Sequence, residues 1–347
     1  MSSRSTLFCG KCGTRIPGAS QYCPRCGARI GTDRSIPEVP CRFCQAYTRP
    51  DRTFCVNCRR RLIALTQYDV VAGDFLYSGD KDNLEMLQET GPLPYLLGGM
   101  FGRGREESMR SWLARNGSKV KMQSRLGSII VGCSETLGLD MIPETFIVPT
   151  HELNASTFGK DDSPVLAITS AALDSLDEIE MTALVGHELG HVKSQHMLYH
   201  TLAESIGAGA SFVANIAGVG LVAMPIQMLL LAWHRDSEIS ADRAALLIVD
   251  DPNVFKSMML KIVGYLPRGS DPPGDSSLAE VFQTHPTYGR RLAMVKEFYA
   301  TRDYAQAREK VRLRSRVKKA FVPFCRFCGA AKAIPDFYCK TCGKSQY

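Results

Sequence analysis

The sequence predicts an α+β protein, in which one large, mostly helical domain is flanked by small cysteine-stapled modules of short paired strands. Three observations carry this. Cysteines recur in three tetrads of one spacing, two near the start of the chain and one at its end. The long stretch between them carries helical apolar patterning and no further tetrad. Within that stretch "MTALVGHELGHVKSQH", Met181 to His196, sets two histidines four apart around a glutamate.

With 347 residues, the chain is long enough for one good-sized core plus appended modules. A hydrophobic fraction of 45% and a charged fraction of 22% are those of a folded globular protein and exclude bulk disorder. The opening "MSSRSTLFCGKCG" holds no apolar run of signal-peptide length, so a reducing cytoplasm is the expected compartment.

In that compartment cysteines bind metal more often than they pair as disulfides. Cys9, Cys12, Cys23 and Cys26 form C-x2-C-x10-C-x2-C, and the same spacing recurs at Cys41, Cys44, Cys55, Cys58 and at Cys325, Cys328, Cys339, Cys342. Each C-x2-C pair curls two thiolates round one ion, and two such knuckles complete the closed tetrahedral site of structural zinc. Redox-active dithiols are the competing reading, but they do not come as paired tetrads. An aromatic precedes the third cysteine each time, at Tyr22, Phe54 and Tyr338. The tetrads look like zinc ribbons, in which metal replaces the core that so few residues cannot build. Cys133, in "LGSIIVGCSETLGL", stands outside them and is expected to be a buried, inert thiol.

The formal net charge is +7. Twelve thiolates around three zinc ions contribute about −6, because each four-thiolate site carries about −2. The net charge is then near neutral, which argues against a nucleic-acid partner. What remains is local: "AREKVRLRSRVKKAF" concentrates basic residues over 308–319, as a solvated connector or a contact for phosphates or anionic lipid. The chain divides into a first ribbon over 1–30, a second over 38–61, a main domain over 79–300, a basic connector over 301–323 and a third ribbon over 324–347. The main domain opens with helical patterning in "KDNLEMLQETGPLPYLL", followed by "GGMFGRGREES", expected as a surface loop.

Helix positions i and i+4 differ by about 40°, so His187 and His191 present their rings to one point. Glu188 lies a little over a quarter-turn round, close to that point. This H-E-x-x-H arrangement supplies two zinc ligands and a carboxylate placed to take a proton from an activated water. One coordination position must stay open for that water, so a third protein ligand is needed. A metzincin would require Gly at 194 and His at 197, where this chain has Ser194 and Met197; His196 and His200 fall at the wrong offsets. The gluzincin variant takes a glutamate from a later helix, and "SEISADRAALLIV" offers Glu238. Asp242, one turn on, is placed to accept the Nδ1 proton of a zinc-bound histidine.

On these motifs the chain resembles the HtpX-like and CAAX prenyl protease-like zinc metallopeptidases of the gluzincin group. The resemblance rests on "GHELGH" at 186–191, on "SEISADRAAL" from Ser237, on "THPTYGRRL" from Thr284 and on "NASTFGKDDSPVLAITSAALDSL" from Asn154. It implies a mostly helical zincin core with a small mixed sheet, one catalytic zinc in addition to the three structural ions expected from the cysteine tetrads, and endoproteolysis of protein or peptide substrates. It further implies that His285 or Arg291 stabilises the oxyanion, with a structural ion pair as the alternative for Arg291. A substrate strand would add to the sheet edge near Asn154 to Phe158.

Residues 205–233 run without a charge and are long enough for one membrane span. A single crossing would separate His187 and His191 from Glu238, and two spans do not fit. The expectation is a buried or membrane-interface hairpin bent near Gly207–Gly209 or Gly218–Gly220, or a re-entrant element, in an enzyme that is soluble or peripheral to the membrane. A second reading keeps the main domain as a scaffold and makes the protein a zinc-ribbon adaptor that binds protein or nucleic acid.

Overall fold

The computed structural model describes residues 38–49, 52–65, 67–89, 103–160, 162–197, 199, 220–264 and 286–318, together with 7–8, 15–16, 25, 325, 327 and 344. Contacts group the chain into two units, residues 1–68 with 311–347, and residues 69–310.

The first unit holds the cysteine modules. Strand β1 (Leu7–Phe8) pairs antiparallel with β2 (Arg15–Ile16), and β3 (Val39–Pro40) with β4 (Tyr47–Thr48). The turn between β3 and β4 carries Cys41 and Cys44. In the second module the sulfurs of Cys41, Cys44, Cys55 and Cys58 lie within 4.8 Å of one another. The Cys41–Cys58 and Cys44–Cys55 separations of 3.8 and 3.7 Å are far too long for disulfides and suit thiolates around one ion. Phe54 is buried beside them, as the aromatic before each third cysteine suggests. The backbone N–H of Phe43 donates to Cys41 Sγ at 3.4 Å, and that of Phe327 to Cys325 Sγ at 3.4 Å, so the last module opens on the same knuckle. Cys9, Cys12, Cys23, Cys26, Cys328, Cys339 and Cys342 lie outside the described residues.

The second unit contains the sequence-defined main domain. Its chain runs through α1 (Ser78–Glu89), α2 (Arg103–Asn116), β5 (Ser118–Lys119), α3 (Arg125–Thr136), β6 (Glu144–Val148), β7 (Ala155–Lys160), β8 (Ser163–Thr169), α4 (Ser170–Ser175) and α5 (Glu178–Lys193). After an undescribed stretch come α6 (Gly220–Val249) and α7 (Pro252–Gly264), then α8 (Tyr288–Tyr299) and α9 (Arg302–Lys318), of which only the part up to Lys310 belongs to this unit. The α+β class and the small mixed sheet are as expected. That sheet has the order β5-β6-β8-β7, with β6 and β8 parallel and the other pairs antiparallel. Central β8 is apolar on both faces: Val165, Leu166 and Ile168 are all fully buried. Val165 joins Leu113 of α2 and Phe146 of β6 in one cluster, and the period-2 pleat turns Leu166 and Ile168 to the other face. Among the described residues strand β7 pairs on one side only, and it packs on α5.

Two expectations are revised, that for the glycine-rich loop and that for the basic run. The "GGMFGRGREES" loop is helical from Arg103 onward, because the Arg, Glu and Met residues that follow Gly104 favour helix enough to carry that one glycine. Residues 220–249 form one continuous helix, in which the charged, helix-favouring "SEISADRAAL" extends the apolar run without a break. Residues 200–219, which hold the expected bend at Gly207–Gly209 and most of that at Gly218–Gly220, lie outside the described residues, and the hairpin expectation with them. Among the described residues no helix is long and apolar enough to cross a membrane. The basic run also starts as a docked helix: Tyr304 and Ala307 are buried, Arg308 bonds Asp250 at 2.7 Å and Lys310 bonds Asp74 at 2.8 Å.

Candidate metal centre

Helix α5 is fixed at both ends by its own sequence. At its start the Asp177 carboxylate accepts from the N–H groups of Ile179 and Glu180, while Glu180 Oε2 accepts from the N–H of Asp177, a reciprocal capping box. At its end Gln195 takes a left-handed φ of 59°. The N–H of His196 then bonds the carbonyl of His191 at 3.0 Å, and that of Gln195 the carbonyl of Val192 at 3.3 Å. This is a Schellman turn with glutamine where glycine is usual.

Between these ends, Gly186 and Gly190 lie one turn apart and face Ala245, Ala241 and Ala244 of α6. With no Cβ on one helix and only methyls on the other, α5 and α6 approach closely, and the ligands meet across the contact. His187 Nε2 lies 3.6 Å from Glu238 Oε2, and His191 Nε2 lies 3.3 Å from Glu238 Oε1. The two rings stand 4.9 Å apart at 88°. All three side chains are buried, and their donor atoms fall within 4.8 Å of one another. Two imidazole nitrogens and one carboxylate are the donor set of a zinc ion that keeps a fourth position for water or substrate.

The outward-facing ring nitrogens are held too. His187 Nδ1 is 2.9 Å from Asp242 Oδ1. Burial would lower the His187 pKa, but the Asp242 hydrogen bond and the Glu238 charge outweigh it and hold the ring above its ordinary value. Arg291 sits on α8, whose first turn is capped by the Thr287 hydroxyl accepting from the N–H of Arg290. Its Nε donates to Asp242 Oδ2 at 2.7 Å and a second nitrogen to Oδ1, while the third lies 3.2 Å from Glu238 Oε2. Burial alone would make the guanidinium easier to deprotonate; these carboxylates keep it firmly charged. The structure thus brings Arg291 to the back of the ligand shell, in the ion-pair position named above as its alternative. His285 lies outside the described residues.

Glu188 is buried beside the ligands, and the hydroxyl of Thr157 on edge strand β7 donates to its Oε2 at 3.1 Å. Thr157 falls inside the sequence-predicted substrate edge, but its contact with Glu188 had no signal in the sequence. His196, set aside above as a ligand on its offset, proves to touch His191 through Nδ1 at 3.2 Å. Cys133 is buried, its thiol 3.7 Å from the carbonyl of Thr182, and burial pushes it up to about 12, which makes it unreactive at neutral pH.

A mixed sheet backing a helix with two histidine donors, completed by a glutamate from the next long helix, defines a gluzincin-type metal centre. The chain belongs to peptidase family M48: the model described as "Peptidase family M48" matches residues 121–298, just over half of its length. A second model, "Double zinc ribbon", matches residues 9–59. Among curated relatives, the chain is 29% identical over 208 residues to the plastoglobule-localized metallopeptidase 48, chloroplastic, of Arabidopsis thaliana, covering 58% of this chain and 59% of that protein. It is 28% identical over 197 residues to Protease HtpX homolog 2 of Methanosarcina mazei, covering 45% of this chain and 66% of that protein. To the Protease HtpX homolog of Moorella thermoacetica it is 29% identical over 197 residues, covering 44% and 65%. The chain therefore spans less than two thirds of the length of each of these relatives.

Proposed function

We propose that this chain is a zinc metalloendopeptidase whose metal is held by His187, His191 and Glu238. The observation that carries the reading is the convergence of those three donors with a fourth, unliganding carboxylate, Glu188, tied to the sheet edge by Thr157. Zinc bound there supplies Lewis acidity, lowering the pKa of water toward neutrality and polarising a carbonyl. Glu188 takes the proton from the attacking water and delivers it to the amide nitrogen as the C–N bond breaks. Thr157 aims that carboxylate. Asp242 keeps the His187 proton on Nδ1, leaving Nε2 free to bind metal, and Arg291 neutralises the paired charges of Asp242 and Glu238. Because Arg291 is engaged in this way, the oxyanion role passes to His285. A substrate strand pairs with the open edge of β7, which gives affinity through backbone bonds and only loose sequence preference.

The remaining assignments belong to the same reading: one catalytic and three structural zinc ions per chain, ribbons that control substrate access or recruitment, and membrane-surface contact through 205–233 or the basic run 308–319, in the cytoplasm. Recruitment has support in the second ribbon, where Phe43 and Tyr47 are exposed and Arg42 lies 4.8 Å over the Phe43 ring. Cleavage of casein by purified protein, with and without a chelator, tests the enzyme. Zinc content separates it from the adaptor reading, which expects three ions and no chelator-sensitive cleavage.

A further inference from the structure

The Nδ1 of His187 meets a carboxylate, whereas that of His191 meets another histidine. Its Nδ1 meets Nδ1 of His196 at 3.2 Å, and Nε2 of His196 lies 3.1 Å from Asp80 Oδ2. The Ser240 hydroxyl donates to the same Asp80 oxygen and accepts from the N–H of Tyr77 at 3.0 Å. His196 and Asp80 are both fully buried, and the His196 ring stands edge-on to Trp233 at 5.4 Å. Asp80 lies on α1, well before the segment matched by the family model.

Protons can be placed along this chain without conflict. A histidine that gives Nε2 to a metal carries its proton on Nδ1, so His191 donates to His196 Nδ1. His196 must then carry its own proton on Nε2, the nitrogen that faces the Asp80 carboxylate. The Nε2–H approach to that oxygen is bent, a charge–dipole contact more than a linear bond. Asp80 Oδ1 has no hydrogen-bond partner among the described residues. A core built only for stability gains nothing from an imidazole and a half-satisfied carboxylate, whose desolvation costs several kcal/mol.

We propose that His196 and Asp80 are positioning residues that fix the ring and tautomer of His191 as Asp242 does for His187, so that α1 is part of the metal centre. The inference rests on the zinc reading of His187, His191 and Glu238. Its test is zinc retention across a graded series of zinc buffers, the increment missing from His187→Ala being assigned to this site. His196→Leu should weaken that increment about 10- to 100-fold, in the range for lost outer partners of metal-bound histidines. His196→Gln should restore it to within about threefold, since its amide oxygen can accept from His191 and its amide nitrogen can donate toward Asp80. Asp80→Asn should weaken it several-fold. A His196→Leu variant that melts cooperatively and binds within about twofold of wild type overturns the proposal. If that variant does not fold, Asp80→Asn decides, and unchanged affinity there overturns it equally. If wild type itself lacks a His187-dependent increment, the zinc reading fails and takes this inference with it.

Discussion

Gly190 lies so close to Ala244 that a Cβ on it would stand 2.8 Å from the Ala244 Cβ and 3.0 Å from the Ala241 Cα. Neither neighbour can swing away, because one is a methyl and the other backbone. Gly190→Ala should therefore force α5 from α6 at the turn between His187 and His191, costing about 1–3 kcal/mol, with a clear loss of zinc from the site. Gly186→Ala meets the movable Ile248 Cδ1 at 2.8 Å and should be milder on both counts. Thermal melts with zinc analysis check this; equal effects of the two substitutions would refute it.

Glu188→Gln should keep the fold and the site's zinc yet lose 10²- to 10⁴-fold in turnover, the usual range for removal of a general base. Thr157→Val should cost roughly tenfold in kcat with little change in zinc affinity, because it frees the carboxylate without touching a ligand. Steady-state kinetics on one peptide substrate, with metal content measured on the same samples, would show it. Full turnover in Glu188→Gln rules out the mechanism.

Glu180 closes the α5 capping box and also accepts from Lys261 Nζ and Ser257 Oγ, each at 2.6 Å. Burial would raise its carboxyl, but Lys261, Ser257 and the Asp177 backbone together hold it below the ordinary value. A depressed carboxyl adds stability that is fully present above the unfolded value and fades as pH falls through the folded one. Wild type should thus lose melting temperature more steeply than Glu180→Gln between about pH 5 and pH 3. Parallel curves would show that this ion pair adds nothing.

Gln195 holds a left-handed backbone that costs a non-glycine residue about 1–2 kcal/mol. Gln195→Gly should raise stability by about 1 kcal/mol and leave zinc affinity unchanged, since the turn itself is kept. A lower melting temperature would mean that the glutamine side chain contributes more than its backbone strain removes.

Deleting residues 1–60, or 324–347, should alter cleavage of a folded protein substrate much more than that of a short unstructured peptide. If the ribbons occlude the groove, both rates rise; if they recruit clients, only the protein substrate slows. Equal rates for trimmed and full-length enzyme on both substrates would remove the ribbons from catalysis.

What could be read without coordinates follows from which contacts are local. His187, Glu188 and His191 were legible because one helix period places them, and the cysteine tetrads because metal geometry dictates their spacing. Glu238 and Asp242 stood out through motif and spacing, and the close glycine–alanine contact brings them to the histidines. Asp80 gave no signal: more than a hundred residues separate it from His191, and only tertiary packing joins them. Thr157 was hidden for the same reason. His196 is no member of the donor set, as its offset suggests, but its contact with His191 was hidden, because the left-handed residue that turns it back lacks the usual glycine.

That turn makes the stretch from His187 to His196 a single reading frame. Helix pitch sets the first interval and the left-handed step at Gln195 sets the second, so both ring positions are encoded within one uninterrupted segment of chain. Inserting one residue between His191 and Gln195 would rotate everything after it by about 100°. His196 would then point away from His191 while the H-E-x-x-H signature remained intact to the eye. Spacing after the signature, and not the signature alone, is therefore what a search for proteins built like this one should hold constant.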